Sequence, residues 1–356
     1  LSERDQQEMS SKKAIFNNRF LKSIYMVPIV VLLILGGYFY YNAFYAVNTY
    51  DYTHLTMDTM VEIRFQTTGE RRAGQIKEEV FSEMERLERL FDRTLENSDI
   101  YNLNEKAGQK PVEVSPEVFY VAEKALEYAE LSGGAFDPTI APVTDAWGFL
   151  GHEYRVPSEE QLNQKLTLVD YREIELDQKN SAVYLPEDDM ALELGGIAKG
   201  FIVDRAMEVL TNHGVEHAFV NAGGDIGLIG SRPEDDPWRI GVRNPRQEQK
   251  MLAVLPVSDK AVATSGDYER SFEEDGVHYH HLLDPETGMP ARELASVTIV
   301  ADSVLEADVL STTIFVLGRE QGMQIIEQKE GVEGVLVTPE LDIEYSSGLE
   351  EIIELR

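Results

Sequence analysis

Leu194-Gly195-Gly196-Ile197-Ala198-Lys199-Gly200 is the stretch on which the reading of the fold turns. Its two adjacent glycines remove side-chain bulk just before an apolar run begins, so the backbone there can come close to a neighbour or a ligand. The run that follows predicts a helix from about Ala198 to His213, and Ala218-Phe219-Val220 reads as the next strand. Asn221-Ala222-Gly223-Gly224-Asp225 follows that strand. A glycine pair ahead of a helix N-terminus favours an anion, and Lys199 in the first turn adds positive charge. Taken alone, the same pattern is also that of a tight strand-to-helix turn carrying a surface lysine.

Working outward, Met60-Val61-Glu62-Ile63-Arg64-Phe65 reads as a strand. Ile76, Val80, Met84, Leu87 and Phe91 recur at helical spacing and predict an amphipathic helix over 74–91. Ser115-Pro116 sets an N-cap before a proline at the first helical position, starting a helix that runs to about Leu131. Gly133-Gly134 ends it. Towards the C-terminus, Ser296 to Ala301 is a strand, Val304 to Leu317 a helix, and a helix–strand pair closes the chain. This order fits an α+β protein, a mixed sheet-and-helix domain, better than a strictly alternating doubly wound sheet. There is no fixed-period repeat or low-complexity tract.

The 356 residues are 43% hydrophobic and 27% charged, enough for one large domain or two closely packed ones with a substantial core. Cysteine is absent, which excludes disulfides, thiolate metal sites, a cysteine nucleophile and a lipid-modified N-terminal cysteine. The net charge is −32. Residues 1–50 hold five basic and three acidic residues, so everything after them carries −34. Such a field repels nucleic acid and anionic headgroups, so no nucleic-acid partner is expected.

From Ser23 to Tyr50 no residue is charged, and Ile24 to Phe39 is strongly apolar. About 20 helical residues span a bilayer core, so residues 24–46 are expected to form one N-terminal transmembrane helix. Tyr38, Tyr40, Tyr41 and Tyr45 resemble an interfacial belt, and Lys12, Lys13, Arg19 and Lys22 precede the span. The positive-inside rule then makes residues 1–23 a cytoplasmic tail and places the remainder outside. A cleaved signal peptide is the competing reading, which Ala43-Phe44-Tyr45 fits poorly and Ala46 keeps open.

Chemistry-bearing segments follow in order. Ser132-Gly133-Gly134-Ala135-Phe136-Asp137-Pro138-Thr139 leads into Trp147-Gly148-Phe149, ahead of the glycine-lysine stretch and Asn221 to Asp225. Next come Ala263-Thr264-Ser265-Gly266-Asp267-Tyr268 and His281-Leu282-Leu283-Asp284-Pro285-Glu286-Thr287-Gly288. Glu306-Ala307-Asp308-Val309-Leu310-Ser311-Thr312 is last. Asp308 and Thr312 lie four apart on a helix and so share a side, giving an incomplete hard-oxygen site of the kind magnesium takes. In isolation such a pair is more often a capped or solvated helix face. His281 is the candidate general base, an imidazole expected near its ordinary pKa. Asp284 either orients that ring or caps its own turn. His278 and His280 could share a strand face, but no zinc spacing accompanies them. G-x-G-x-x-G and G-x-S-x-G are both absent, which excludes the Rossmann and serine-hydrolase readings.

In identity, order and spacing these segments resemble the ApbE family of FAD:protein FMN transferases, over roughly residues 54–350. The resemblance implies Mg²⁺ as cofactor and FAD as substrate. It implies transfer of FMN to a threonine hydroxyl of an acceptor protein, with AMP released. Partners would be FMN-acceptor proteins of membrane electron-transfer or ion-pumping complexes, met at the outer face of the cytoplasmic membrane. It implies that the Gly196 carbonyl joins Asp308 and Thr312 on the metal, with Ser311 where some members carry a second aspartate. It implies flavin or phosphate contacts at Met57, Ala135, Phe136, Asp137, Glu193, Lys199 and Leu283, Glu193 standing where aspartate is common. A contact usually made by tyrosine falls close to Thr94 and is not carried over. An FAD pyrophosphatase and a non-catalytic flavin-binding protein are the alternatives.

Overall fold

A helix that is apolar on every side needs neighbours on every side, and the segment from Val304 to Leu317 is one: ten of its fourteen residues are buried. The computed structural model describes residues 3–44, 46–151, 153–232 and 236–356, excluding the side chains of residues 3, 14–25, 39, 40 and 42–44. The chain divides into two units, Leu1–Tyr50 with Gln66–Gln75, and Asp51–Phe65 with Ile76–Arg356.

In chain order the first elements are α1 (Glu3–Phe44), β1 (Val47–Thr56), β2 (Thr59–Thr68), α2 (Glu70–Phe91) and α3 (Asp99–Asn104). Next are β3 (Val112–Glu113), α4 (Pro116–Leu131), α5 (Ala141–Trp147), α6 (Glu159–Leu166), β4 (Glu175–Asp177) and β5 (Ala182–Tyr184). The middle holds α7 (Gly195–Asn212), β6 (Ala218–Ala222), β7 (Asp225–Ile229), β8 (Trp238–Arg243), β9 (Met251–Val257) and β10 (Ala261–Gly266). The C-terminal part holds β11 (Ser271–Glu274), β12 (Val277–His280), β13 (Ser296–Ala301), α8 (Val304–Leu317) and α9 (Arg319–Gln328). Three short strands finish it: β14 (Glu333–Val337), β15 (Ile343–Tyr345) and β16 (Glu354–Leu355).

The first unit contains α1. Met26, Val27 and the apolar residues from Ile29 to Leu35 are exposed on this helix. No helix among the described residues is long and apolar enough to cross a membrane, in contrast to the expected span over 24–46. Several side chains of that stretch, including those of Ile24, Tyr25, Phe39 and Tyr40, lie outside the described residues.

The main sheet of the second unit, to which β1 contributes from Asp51 on and β2 as far as Phe65, runs β1-β2-β6-β7-β10-β13-β14-β15, antiparallel at each pairing from β2 to β15. Helix α8 packs on α7 and against β10 and β13. The opposite side of the sheet meets β8 and β9, where Trp238, Ile240, Val242 and Leu255 pack on Val262, Val300, Val335 and Val337. Every residue of β13 is buried, as a strand covered on both faces requires. The result is an α+β protein of helices and antiparallel sheets.

Local signals hold where chemistry forces them. Ser115 caps α4 through the Val118 amide with Pro116 at the first position, and Gly133 and Gly134 follow its end with φ of 64° and 95°. Helix α7 begins at Gly195, three residues before its expected start, because the glycine pair adopts the first turn itself. The N-terminus of α8 is held twice. Ser303 accepts from the Glu306 amide, and Asp204 of α7 accepts from the amides of Val304 and Leu305 at 2.8 and 2.9 Å.

Candidate active site

Helices α7 and α8 touch at Gly200. A Cβ there would lie 2.5 Å from the Val304 carbonyl oxygen and 2.8 Å from the Asp308 Cβ, so only glycine admits this crossing. The Gly200 amide donates to Asp308 Oδ2 at 2.9 Å, and the Asp308 side chain is buried. Beside it Lys199 Nζ lies 3.0 Å from Asp225 Oδ2, itself buried at the start of β7. Lys199 pairs directly with Asp225, and its charge also acts on Asp308. Burial, together with the Asp225 charge and only partly offset by Lys199, pushes the Asp308 carboxyl up to about 8. Burial alone would lower the Lys199 ammonium, but Asp225 and Asp308 hold it above the usual lysine range.

One turn along α8, Thr312 faces the first turn of α7. A Cβ on Gly196 would lie 3.5 Å from Thr312 Oγ1 and 3.3 Å from Phe136 Cε2. Gly196, Thr312 and Phe136 therefore adjoin, and Gly200 ties Asp308 to the same helix. Ser311 points elsewhere: it is fully buried, its hydroxyl donates to the Asp308 carbonyl at 2.9 Å, and Ser265 Oγ of β10 lies 2.8 Å away. Ser265 Oγ is also 3.3 Å from Thr312 Oγ1. Asp308, Thr312 and the Gly196 backbone are all hard oxygen donors, and the buried carboxylate is short of positive charge. This set fits a magnesium ion. Among the described residues there is no cluster of three or more His, Cys, Asp or Glu side chains that could hold a metal without backbone or hydroxyl help.

The flavin-side residues expected from sequence separate into two kinds. Phe136 is buried, and its amide donates to Ser132. Asp137 is used within its loop: Oδ1 accepts from the Thr139 amide and hydroxyl, and Oδ2 from the Tyr171 amide. Ala135 is half-buried beside them. Glu193 lies against Gly195, whose added Cβ would be 3.3 Å from Oε1, while Oε2 pairs with Arg93 at 3.2 Å. Arg93 also grips Asp145 with two bonds of 2.7 and 3.1 Å. Met57 sits with Asp58 in the β1–β2 turn, both at φ 54°, and its amide donates to Glu88 at 2.7 Å.

His281 follows β12, and its amide donates to the Arg270 carbonyl at 3.0 Å. Its Nδ1 is buried without a hydrogen-bond partner among the described residues, and the ring meets Phe149 edge-on. Burial, with Arg270 and His280 nearby, lowers its pKa to about 3, well below the ordinary value expected from sequence. It is therefore a neutral imidazole. Asp284 does not reach it. Its Oδ1 accepts from the Glu286 amide and its Oδ2 from the Thr287 hydroxyl, both at 2.9 Å, so this carboxylate closes its own turn. Leu283 is buried and bridges to Pro290, and Trp147 Nε1 ties the turn down by donating to the Gly288 carbonyl. His278 and His280 each bond a backbone carbonyl, of Asp267 and Ala291 respectively.

Asp225, Arg93 and Ser265 belong to these groupings without having been assigned site roles from sequence. Asp225 and Ser265 stand inside Gly223-Gly224-Asp225 and Thr264-Ser265-Gly266, which read in the sequence as pocket wall and not as catalytic, flavin or metal contacts. Arg93 carries no signal of its own, and only its neighbour Thr94 stands out, as a place where tyrosine is usual.

The pattern of the ApbE family matches residues 57–336. The FAD:protein FMN transferase of Treponema pallidum is 35% identical over 321 residues, covering 85% of this chain and 88% of that protein. One from Klebsiella pneumoniae is 33% identical over 300 residues, covering 84% and 92%. The crystal structure of the ApbE protein of Thermotoga maritima superposes with a TM-score of 0.80 at 36% identity, covering 86% of this chain and 99% of that one. The flavin transferase ApbE of Vibrio cholerae gives 0.78 at 27%, covering 86% and 100%.

Proposed function

The chain belongs to the ApbE family, and from that premise we infer that it is an FAD:protein FMN transferase, moving the FMN portion of FAD onto acceptor proteins. The acceptor atom we propose is a threonine hydroxyl oxygen. It attacks the phosphorus that bears FMN, the bond from that phosphorus to the bridging oxygen breaks, and AMP leaves with that oxygen. The observation that carries this reading is the meeting of Asp308, Thr312 and Gly196 beside Lys199 at the start of α7.

Asp308, Thr312 and the Gly196 carbonyl would hold Mg²⁺, which neutralises charge on the phosphoryl oxygens when bound. Lys199, kept charged by its two carboxylate neighbours, supports the same phosphates. Neutral His281 takes the proton of the attacking hydroxyl. Burial keeps this ring neutral, so its nitrogen is free of a proton when the hydroxyl arrives. Phe136 and Glu193 border the flavin side.

Anchoring at the cytoplasmic membrane, with the catalytic part outside, is supported by the apolar stretch after Ile24, the exposed apolar side chains from Met26 to Leu35, and the basic residues ahead of them. Acceptors in membrane electron-transfer or ion-pumping complexes would then lie within reach. Protease accessibility in intact cells and spheroplasts tests this topology. Protection of the catalytic part in spheroplasts would overturn it.

The activity is tested by incubating the chain with FAD, Mg²⁺ and a threonine-bearing acceptor domain, then weighing the acceptor by intact-protein mass spectrometry. A gain of one FMN, lost with EDTA and in His281→Ala, is expected. Free FMN and AMP beside an unmodified acceptor would replace the transferase by a pyrophosphatase.

A further inference from the structure

Three hydroxyls in the candidate active site form a chain whose direction is fixed. The Ser311 hydroxyl donates to the Asp308 carbonyl oxygen, which can only accept. A serine has one proton, so in the 2.8 Å contact between Ser311 Oγ and Ser265 Oγ the donor must be Ser265. The single proton of Ser265 is thereby used. In its remaining contact, 3.3 Å from Thr312 Oγ1, Ser265 accepts and Thr312 donates. The order Thr312 to Ser265 to Ser311 to the Asp308 carbonyl admits no other assignment while the last link stands.

From this geometry we propose that Ser265 is a positioning residue for the cation, and the proposal rests on the reading of Asp308, Thr312 and Gly196 as its holders. A hydroxyl ligates through its lone pairs. If its proton pointed at the ion, its lone pairs would turn away and a positive hydrogen would face a positive charge. Drawing the Thr312 proton back towards β10 leaves both lone pairs turned to the site. Ser311 then serves at the far end of the chain instead of on the metal. Its burial and its bond to the helix carbonyl account for a serine beside Asp308 that need not be a ligand.

The test uses the full chain and Mn²⁺ as probe, with free Mn²⁺ followed by electron paramagnetic resonance, with and without FAD. FAD binding in EDTA, read by flavin fluorescence, is the metal-independent control. Ser265→Ala is expected to weaken Mn²⁺ by roughly ten- to a hundredfold, as losing a group behind a ligand commonly does, with FAD affinity in EDTA unchanged. Ser265→Thr restores the hydroxyl and most of the affinity. Ser311→Ala, which touches no cation in this scheme, releases the Ser265 proton to compete for Thr312 and weakens Mn²⁺ by a smaller factor. That variant decides the matter should Ser265→Ala not fold. Unchanged Mn²⁺ binding in both alanine variants would overturn the ordered chain and leave the metal site standing. Loss in Ser265→Ala alone, with Ser311→Ala at wild-type affinity, would make Ser265 a direct contact and also overturn it. A wild-type chain that binds no Mn²⁺ in either condition removes the metal reading and the chain together.

Discussion

Asp308 and Asp284 are both aspartates in motif segments, yet their surroundings are opposite. Asp284 is partly exposed, and each of its oxygens has a donor from its own turn. Asp308 is buried with one amide donor, a second carboxylate near it and a lysine that pairs directly with that second carboxylate. The first has what a carboxylate needs from the protein. The second does not, and the deficit is positive charge. A carboxylate satisfied by its own loop is structural, whereas one buried short of charge is prepared for something the chain does not supply.

Exchanging each for a neutral residue sharpens the contrast most. Asp308→Asn should lower the transfer rate roughly a thousandfold, comparable to losing a preorganised charge-stabilising group. The same variant melts in EDTA close to the wild-type temperature, because a carboxyl pushed up to about 8 is already mostly neutral at pH 7 and asparagine nearly matches its shape. A large fall in melting temperature with activity retained would make Asp308 structural and erase the difference.

The helix side should next prove intolerant of a single methyl. Gly200→Ala forces α7 and α8 apart and should cost about 3 kcal/mol in denaturant unfolding, the upper end for overpacking. An unfolding midpoint like that of the wild type would show that this crossing is looser than its 2.5 Å approach requires.

On the side of β12, where His280 ends the strand, the sensitivity should be to acid. Burial lowers the His280 pKa to about 4, although its bond to the Ala291 carbonyl works the other way. The folded state holds this ring neutral while the unfolded chain protonates it near 6.5. The contribution is therefore complete above pH 6.5 and is lost as pH falls towards 4, up to about 3 kcal/mol in all. Stability measured from pH 7.5 to 4.5 should fall, and less steeply in His280→Gln. An identical slope in that variant would move the acid sensitivity elsewhere.

Asp284→Ala is the mildest change. Losing two turn bonds should cost about 1 kcal/mol of stability and leave transfer within a few-fold of wild type. A loss of activity as deep as that of Asp308→Asn would mean that Asp284 swings to His281 in the substrate complex.

Much of this was legible in the sequence where a local rule acts by itself. Ser115-Pro116 and Gly133-Gly134 bound their helix through backbone geometry, and the four-residue spacing of Asp308 and Thr312 needs only a helix to converge. The rest depends on contacts between distant segments. Arg93 meets Glu193 across a hundred positions, and Ser265 meets α8 only after β10 has been laid beside it. Asp284 was readable as a cap or as the partner of His281, and only the direction of its two oxygens separates them. The His281 pKa shift comes from burial and neighbouring cations, neither of which a four-residue histidine cluster reveals.

The contact at Gly200 has a consequence for how such a chain can change over time. The amide that holds Asp308 and the missing side chain that admits α8 belong to one residue. A larger residue there keeps the amide but shifts it as α7 and α8 are pushed apart, so folding and the hold on Asp308 change in a single step. Drift at this position is closed off from both directions. Asp284, whose duties end within its own turn, leaves its neighbourhood open to gradual replacement.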